Sequence, residues 1–135
     1  MRRHEMSDAA APTLGKFICV VCPNGCVIDA EFIPGSKPKL ISFANAGCSK
    51  GERWIKQEIE TPMRTISTSV LVKGGDYVCA SVRTKTPIPL ERVMDVMDAL
   101  KDIVIEAPVH IGQTIISSPA GIDAEIIATR EVAKV

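Results

Sequence analysis

Four cysteines near the start of the chain constrain its fold more than any other feature. Cys19, Cys22 and Cys26 lie in the stretch ICVVCPNGC, and Cys48 lies in AGCSKG, with twenty-one residues between the third cysteine and the fourth. The first three are close enough for one tight loop to aim their sulfurs at a common point, whereas the fold has to bring the fourth. Four cysteine ligands satisfy either an iron–sulfur cluster or a zinc ion. The sequence therefore predicts a metal centre held by these four residues.

The spacing of these cysteines favours an iron–sulfur cluster over zinc. Zinc ligands usually come as two separated pairs, whereas three clustered cysteines and one distant cysteine are typical of [4Fe–4S] binding loops. Pro23 follows the second cysteine and Gly25 precedes the third, which lets backbone N–H groups turn toward the sulfides. A zinc ion that staples a small lobe stays open as the alternative.

Two disulfides would also use four cysteines, but the expected compartment disfavours them. The N-terminal residues 1–14 are polar and small and lack the apolar core of a signal peptide, and no apolar run approaches the length of a membrane span. We therefore expect a cytoplasmic protein without a membrane span, in which reducing conditions keep cysteines as thiols or metal ligands. The fifth cysteine, which makes the count odd, points the same way.

The overall charge argues against nucleic acid as a partner. Sixteen basic and sixteen acidic residues leave a formal net charge of zero, and aromatic residues make up only 4% of the chain. Neither a basic excess nor a set of stacking side chains is therefore available for nucleic acid. The hydrophobic share of 46% is enough for a folded core.

The pattern of residues predicts an α+β protein with a flexible leader over residues 1–14 and a cysteine-rich lobe over residues 15–62. Alternating apolar stretches separated by Pro-Gly and Pro-Asn-Gly turns predict a three-stranded meander over residues 16–21, 27–33 and 40–43. Ser49 and Glu52 fit a capping box that opens a helix to about Glu60, where Thr61 and Pro62 end it. Cys48 then lies immediately before a helix N-terminus.

Residues 63–135 are expected to form a small α+β domain with an antiparallel sheet and one amphipathic helix. A Gly-Gly-Asp turn between residues 64–72 and 77–83 indicates a hairpin, and residues 111–116 and 124–132 are further strand candidates. The helix is predicted over residues 90–101. Its expected apolar stripe consists of Leu90, Val93, Met94, Met97 and Leu100.

The segment from Lys16 to Arg64 resembles the N-terminal iron–sulfur segment of the molybdopterin oxidoreductases, such as formate dehydrogenases and nitrate reductases. Both have three clustered cysteines, a gap of some two dozen residues, and then a cysteine followed by lysine and glycine. The resemblance implies that Cys19, Cys22, Cys26 and Cys48 bind the cluster. It also implies that Lys50 is the counterpart of the lysine between cluster and pterin in those enzymes. The long pterin-holding part of those enzymes has no counterpart in this chain.

From Lys16 to the ending Ile126-Ile127-Ala128-Thr129-Arg130 the chain more closely resembles a bacterial family of small uncharacterised proteins named for conserved CxxC pairs. Its members are typically encoded beside FAD-dependent dehydrogenases of the glycerol-3-phosphate type and pyridine-nucleotide flavoproteins. The resemblance implies that such flavoprotein subunits are partners of this chain. It also implies a redox accessory role rather than independent catalysis.

The remaining candidate residues are weaker. Cys79, in a predicted strand, is expected to be a buried free cysteine, and His110 is expected to be a surface or hydrogen-bonded histidine. Lys50, Arg53 and Lys56 form a basic edge of the first helix that either faces solvent or meets an acidic partner.

These observations lead to one main hypothesis and two alternatives. The main hypothesis is an iron–sulfur electron-transfer subunit of a flavin-dependent dehydrogenase or oxidoreductase system, with a [4Fe–4S] cluster as cofactor. The first alternative is a zinc-stapled adaptor protein without a redox role. The second is a redox enzyme that uses Cys79 or a cluster thiolate, for which the sequence offers no electropositive surroundings at Cys79.

Overall fold

The structure is a computed structural model that describes residues 10–135. These residues form an α+β architecture, as the sequence predicts, with two α-helices and ten strands. The chain divides into two compact units, the first ending at Pro62 and the second beginning at Met63. Most of the predicted leader, residues 1–9, lies outside the described residues. Within the described range no helix is long and apolar enough to cross a membrane.

The first unit contains the predicted antiparallel meander. Its strands β1 (Thr13–Ile18), β2 (Val27–Ile33) and β3 (Lys39–Ala44) pair in the order β1-β2-β3. Residues 13 and 14, predicted to be leader, belong to β1 because β2 is long enough to pair with them at Phe32 and Glu31. The connection between β1 and β2 carries three of the cysteines.

Helix α1 (Ser49–Glu60) packs its apolar face on the meander. Ile55 and Ile59 on this helix are buried in one cluster with Ile28 and Ala30 of β2. The predicted length of the helix is confirmed, but the predicted capping box is wrong. The N-cap is Cys48, whose extended backbone (φ −158°, ψ 169°) accepts the first helical hydrogen bond, so that the residue after it is already helical.

The second unit contains a five-stranded sheet and a two-stranded one. The strands are β4 (Met63–Arg64), β5 (Ser67–Lys73), β6 (Cys79–Thr84), β7 (Ile88–Pro89), β8 (Val104–Glu106), β9 (Thr114–Ile116) and β10 (Ile126–Ala128), with helix α2 (Val93–Leu100) between β7 and β8. The larger sheet has the order β8-β5-β6-β10-β9, and β4 pairs with β7.

This larger sheet is mixed, whereas the sequence predicts a purely antiparallel one. Strand β8 pairs in parallel with β5, with Leu71 opposite Val104. The hairpin reverses the chain direction at β6, and the segment that contains α2 reverses it again, so that β8 runs parallel to β5. The predicted β5–β6 hairpin is confirmed.

The last two strands are shorter than predicted. The first of them begins only at Thr114, because the amide of Gln113 bonds to the carbonyl of His110 in a turn at Gly112, where φ is +85°. The other, predicted over residues 124–132, is confined to Ile126–Ala128.

The buried face of α2 differs from the predicted stripe. Val96 and Leu100 are buried, whereas Met94 is 67% exposed. Residues 90–92 form a turn of 3₁₀-helix, so that the α-helix begins only at Val93. A 3₁₀ turn has three residues instead of 3.6, which rotates the positions after it relative to a continuous α-helix.

Asp29 on β2 carries a pH-dependent part of the stability of the meander. The Lys16 ammonium donates a hydrogen bond to Asp29 Oδ1 at 2.6 Å, and the Asn45 amide donates one to Oδ2 at 2.9 Å. These two bonds, the Lys16 bond first, hold the pKa of Asp29 below its ordinary value of 3.8. The stabilisation is therefore fully present above pH 3.8 and is lost as the pH falls through the lowered pKa.

We expect Lys16→Met to raise the pKa of Asp29 toward its ordinary value, measured by NMR titration of the carboxyl carbon. Asp29→Asn should remove this contribution to the acid dependence of unfolding, measured by denaturant titrations over a series of pH values. Lys39→Met, which changes another lysine of the meander, is the control. An Asp29 pKa that is equal in wild type and in Lys16→Met would contradict the assignment.

Candidate metal site in the cysteine loop

The loop of residues 19–26 holds three of the four cysteines against the end of the β1–β2 pair. The amide of Cys19 donates a hydrogen bond to the carbonyl of Cys26 at 2.9 Å. These two residues directly follow and precede Ile18 and Val27, the last residues of β1 and β2 that pair. This bond closes the base of the loop. Gly25, with φ of +61°, supplies the left-handed backbone that the return toward β2 requires.

Within the loop the three cysteines have different surroundings. Cys19 is 6% exposed and belongs to the same apolar cluster as Ile28 and Ile55. Cys26 is half-buried and packs against that cluster, and Cys22 is exposed. The loop therefore anchors two sulfurs at its base and presents the third to solvent.

Cys48 arrives from a second connection, between β3 and α1. Asn45 and Gly47 both have left-handed backbones, with φ of +66° and +72°, and they flank the buried Ala46. The amide of Cys48 donates a hydrogen bond to the carbonyl of Ala46 at 2.8 Å. This tight reversal puts the exposed Cys48 at the N-terminus of α1.

The two connections meet at one cavity of about 80 Å³. The five residues that the sequence predicts as the site all line it. They are Cys19, Cys22, Cys26, Cys48 and Lys50. Val21, Asn24, Ala46 and Gly47 complete the lining. The fold thus brings the distant fourth cysteine to the cavity of the first three.

All five cysteines of the chain are free thiols, without a disulfide. Within residues 10–135, however, no three Cys, His, Asp or Glu side chains are grouped closely enough to hold a metal ion. The four cysteines therefore share a cavity without forming a ready coordination shell. Cys22 and Cys48 are the exposed members, and exposed side chains change rotamer readily.

The donor chemistry of the cavity fits a thiophilic metal or cluster. Its lining contains four thiols and neither a carboxylate nor an imidazole. Soft sulfur ligands suit zinc and iron–sulfur clusters, whereas magnesium and calcium need oxygen. By donor type, the residues present therefore suit both of the centres that the cysteine spacing allows.

Gly47 gives the cavity its shape at Cys26. A Cβ atom added to Gly47 would lie 3.0 Å from Cys26 Sγ, closer than ordinary van der Waals contact. A side chain at this position would therefore press on a candidate ligand. Sequence reasoning missed this role, although a glycine directly before a cysteine is a signal that could have found it.

Charge at the cavity suits a negatively charged occupant. Lys50 is the charged side chain in the lining. Cys48 immediately precedes α1, whose first backbone N–H groups carry a partial positive charge. Metal-bound thiolates and sulfides carry net negative charge, which both groups would stabilise.

The other candidates lie in the second unit, outside the lining of this cavity. Cys79 is half-buried at the start of β6, opposite Leu71, whereas the sequence predicts a buried residue. Cys79 is the first residue of β6, at the turn end of the β5–β6 hairpin. His110 is exposed and its Nδ1 lies 3.0 Å from Glu131 Oε2, so the predicted surface, hydrogen-bonded histidine is confirmed.

Comparisons with known proteins bear on the fold more than on this cavity. A protein family described as "Protein of unknown function (DUF1667)" matches residues 49–130, which excludes all four cavity cysteines. The NMR structure of the Clostridium perfringens protein CPE0013 is similar to this chain with a TM-score of 0.50 and 18% identity. The similarity covers 54% of this chain and 87% of that one, and at such identity it shows the fold alone. A search of curated proteins gave no match.

Proposed function

Because the chain belongs to the DUF1667 family, whose description assigns no activity, we propose its function from the cysteine cavity: it is an iron–sulfur electron-transfer protein. Cys19, Cys22, Cys26 and Cys48 would hold a [4Fe–4S] cluster, and Lys50 would offset part of its negative charge. The observation that carries the proposal is that four cysteines from two separate connections line one cavity.

The bound cluster would supply one-electron transfer between a donor and an acceptor. The chain's own residues would set the conditions for it. The buried Cys19 would hold the cluster from the protein side and limit solvent there, whereas the exposed Cys22 and Cys48 would leave it accessible to solvent. Solvent exposure and nearby charge are two of the quantities that set the reduction potential of such clusters.

The proposed role is that of an accessory subunit of a flavin-dependent dehydrogenase or oxidoreductase. Support comes from the resemblance to small bacterial proteins encoded beside FAD-dependent dehydrogenases and pyridine-nucleotide flavoproteins. The free state of all five thiols suits a reducing compartment such as the cytoplasm.

A structural zinc site is the second candidate function. The observation in its favour is that Cys19 belongs to the apolar cluster of the first unit, so that a metal ligated there would brace this unit directly. The same four thiolates would satisfy the tetrahedral coordination of zinc. The protein would then be an adaptor without redox activity.

Metal analysis of protein purified without oxygen separates the two candidates. For the iron–sulfur protein we expect about four iron and four sulfide per chain, a brown colour and an EPR signal after reduction. One tightly bound zinc per chain, with no iron after reconstitution with iron and sulfide, would contradict the proposal and favour the structural site. The matched control is Cys79→Ser, which leaves the cavity unchanged and should retain the full metal content.

A further inference from the structure

A second, shallow groove of about 370 Å³ adjoins the cysteine cavity. It is lined by Val21, Lys50, Arg53, Trp54 and Gln57. Val21 and Lys50 also line the cysteine cavity, so they form a wall common to both. Whatever occupies the groove therefore lies beside the four cysteines.

The groove is positively charged. Lys50 and Arg53 are in its lining, whereas no carboxylate is. In the described part of the chain neither of these cations forms an ion pair, unlike Lys16, Lys85 and Arg92. Two unpaired cations beside an amide side chain present hydrogen-bond donors to an incoming carboxylate.

The cysteine loop and the adjoining end of β1 carry exposed apolar side chains, of which Val21 lines the groove. Val20 is 74% exposed and Val21 is 46% exposed, and Ile18 at the end of β1 is 62% exposed. In protein interfaces most of the binding energy comes from a few residues, which are often tryptophan or arginine and lie in an apolar centre. Within the described residues of the first unit, neither Val20 nor Val21 belongs to the apolar cluster or packs against it.

We propose that this groove is the docking site for an acidic surface of a partner protein. Carboxylates of the partner would bind Arg53 and Lys50, and an apolar patch of the partner would cover Val20 and Val21. The shallow, open form of the groove suits a protein surface better than an enclosed small molecule. The net charge of the chain is zero, so the attraction is local to this groove, unlike the extended basic surfaces that bind nucleic acid.

The purpose of docking rests on the proposed function, because a partner bound in this groove would exchange electrons with the nearby cysteine site over a short path. Docking itself needs no iron. The two ideas can therefore fail separately.

Trp54, the only tryptophan in the chain, reports on the groove by its fluorescence. The probe is an oligoglutamate peptide. It is titrated into two preparations of the full chain, one loaded with iron and sulfide and the other with zinc. We expect a saturable change in Trp54 emission in both forms, and a binding constant that weakens as salt is raised. An oligolysine peptide of the same length should give no change.

Two variants test the residues. Arg53→Glu should weaken oligoglutamate binding by about tenfold or more because an attraction becomes a repulsion. Gln57→Glu adds one negative charge with little change of shape and should weaken it less. The matched control is Lys37→Glu, the same kind of charge reversal at an exposed turn of the first unit, which should leave binding unchanged. Far-UV circular dichroism checks that each variant keeps its helices.

Three results would overturn the inference. Equal binding by wild type and both groove variants would show that the groove is not the site. Inorganic phosphate that displaces the peptide and binds as tightly would make the groove a small-anion pocket. A chain that dimerises alone, with Arg53→Glu making it monomeric, would make a second copy the occupant. The iron content of the protein tests the cluster proposal separately. It does not depend on any of these three results.

Discussion

Cys48→Ser should abolish cluster assembly and leave the fold intact. Cys48 is exposed and makes no side-chain capping bond to α1, so its sulfur contributes little to packing or to the helix. Serine is among the preferred N-cap residues, because its hydroxyl oxygen can accept a hydrogen bond from a free N–H of the first helical turn. The substitution thus removes one ligand of the proposed cluster without removing a structural contact.

The expected result is at least a tenfold loss of bound iron and sulfide after reconstitution, since even altering the surroundings of a ligand costs about 10–100-fold in metal affinity. The free energy of unfolding of the metal-free protein should not fall. Both quantities are measurable on the same preparation, by metal analysis and by denaturant titration. Cys19→Ser is the informative contrast because it puts a hydroxyl into the apolar cluster and should lower both.

Unchanged iron content in Cys48→Ser would show that Cys48 is not a ligand. The proposal would then lose its fourth sulfur, and a centre held by the three loop cysteines would have to replace it.

Gly47→Ala should weaken both the fold and the metal site. The left-handed backbone of Gly47 (φ +72°) is strained for alanine, and the added Cβ would also lie 3.0 Å from Cys26 Sγ. Left-handed backbone costs a residue with a Cβ about 1–2 kcal/mol. The displaced sulfur of Cys26 should in addition lower metal content by about tenfold or more.

Gly74→Ala is a close control for this substitution. Gly74 has φ of +71°, almost equal to that of Gly47, but a Cβ added there would have nothing within 4 Å of it. This variant should lose a similar amount of free energy of unfolding and none of the metal. Equal metal content in the two variants, measured after reconstitution, would mean that close approach to Cys26 is unimportant for the site.

The sequence predicts most of the first unit because its signals are local. Stretches rich in β-branched and apolar residues, bounded by Pro-Asn-Gly and Pro-Gly turns, specify the meander, and the end of α1 at Glu60 follows from Thr61 and Pro62. The N-terminus of the same helix is predicted less well. Ser49 is a residue type that often caps helices. The reversal closed by the bond from the Cys48 amide to the carbonyl of Ala46, however, makes Cys48 the N-cap, one residue earlier than predicted.

In the second unit the errors come from interactions between distant residues. The parallel pairing of β8 with β5 depends on how the chain returns after α2, and three-residue strands such as Val104–Glu106 are too short to show a period. The exposure of Met94 has a different origin, because a 3₁₀ turn and an α turn cannot be distinguished by apolar spacing in so short a segment.

For the candidate site, residue types are predictable from sequence and contacts are not. The four cysteines are recognisable from their spacing, whereas Lys50 is implied only by the resemblance to the iron–sulfur segment of the molybdopterin oxidoreductases. The roles of Gly47 and Val21 depend on two connections meeting, which separates the contacting residues by more than twenty positions in the chain. Such contacts have no local sequence pattern.

If Cys19 binds the proposed metal centre, its position would link cofactor supply to the lifetime of the protein. Its sulfur borders the cavity, and its residue is also part of the apolar cluster that joins α1 to the meander. Whatever binds this sulfur in the native chain and not in the unfolded chain adds its binding free energy to the stability of the first unit. When that metal is scarce, or is lost to oxygen, the first unit would unfold more often and cellular proteases would degrade the chain faster. The rate of degradation would therefore depend on the supply of the metal in the cell.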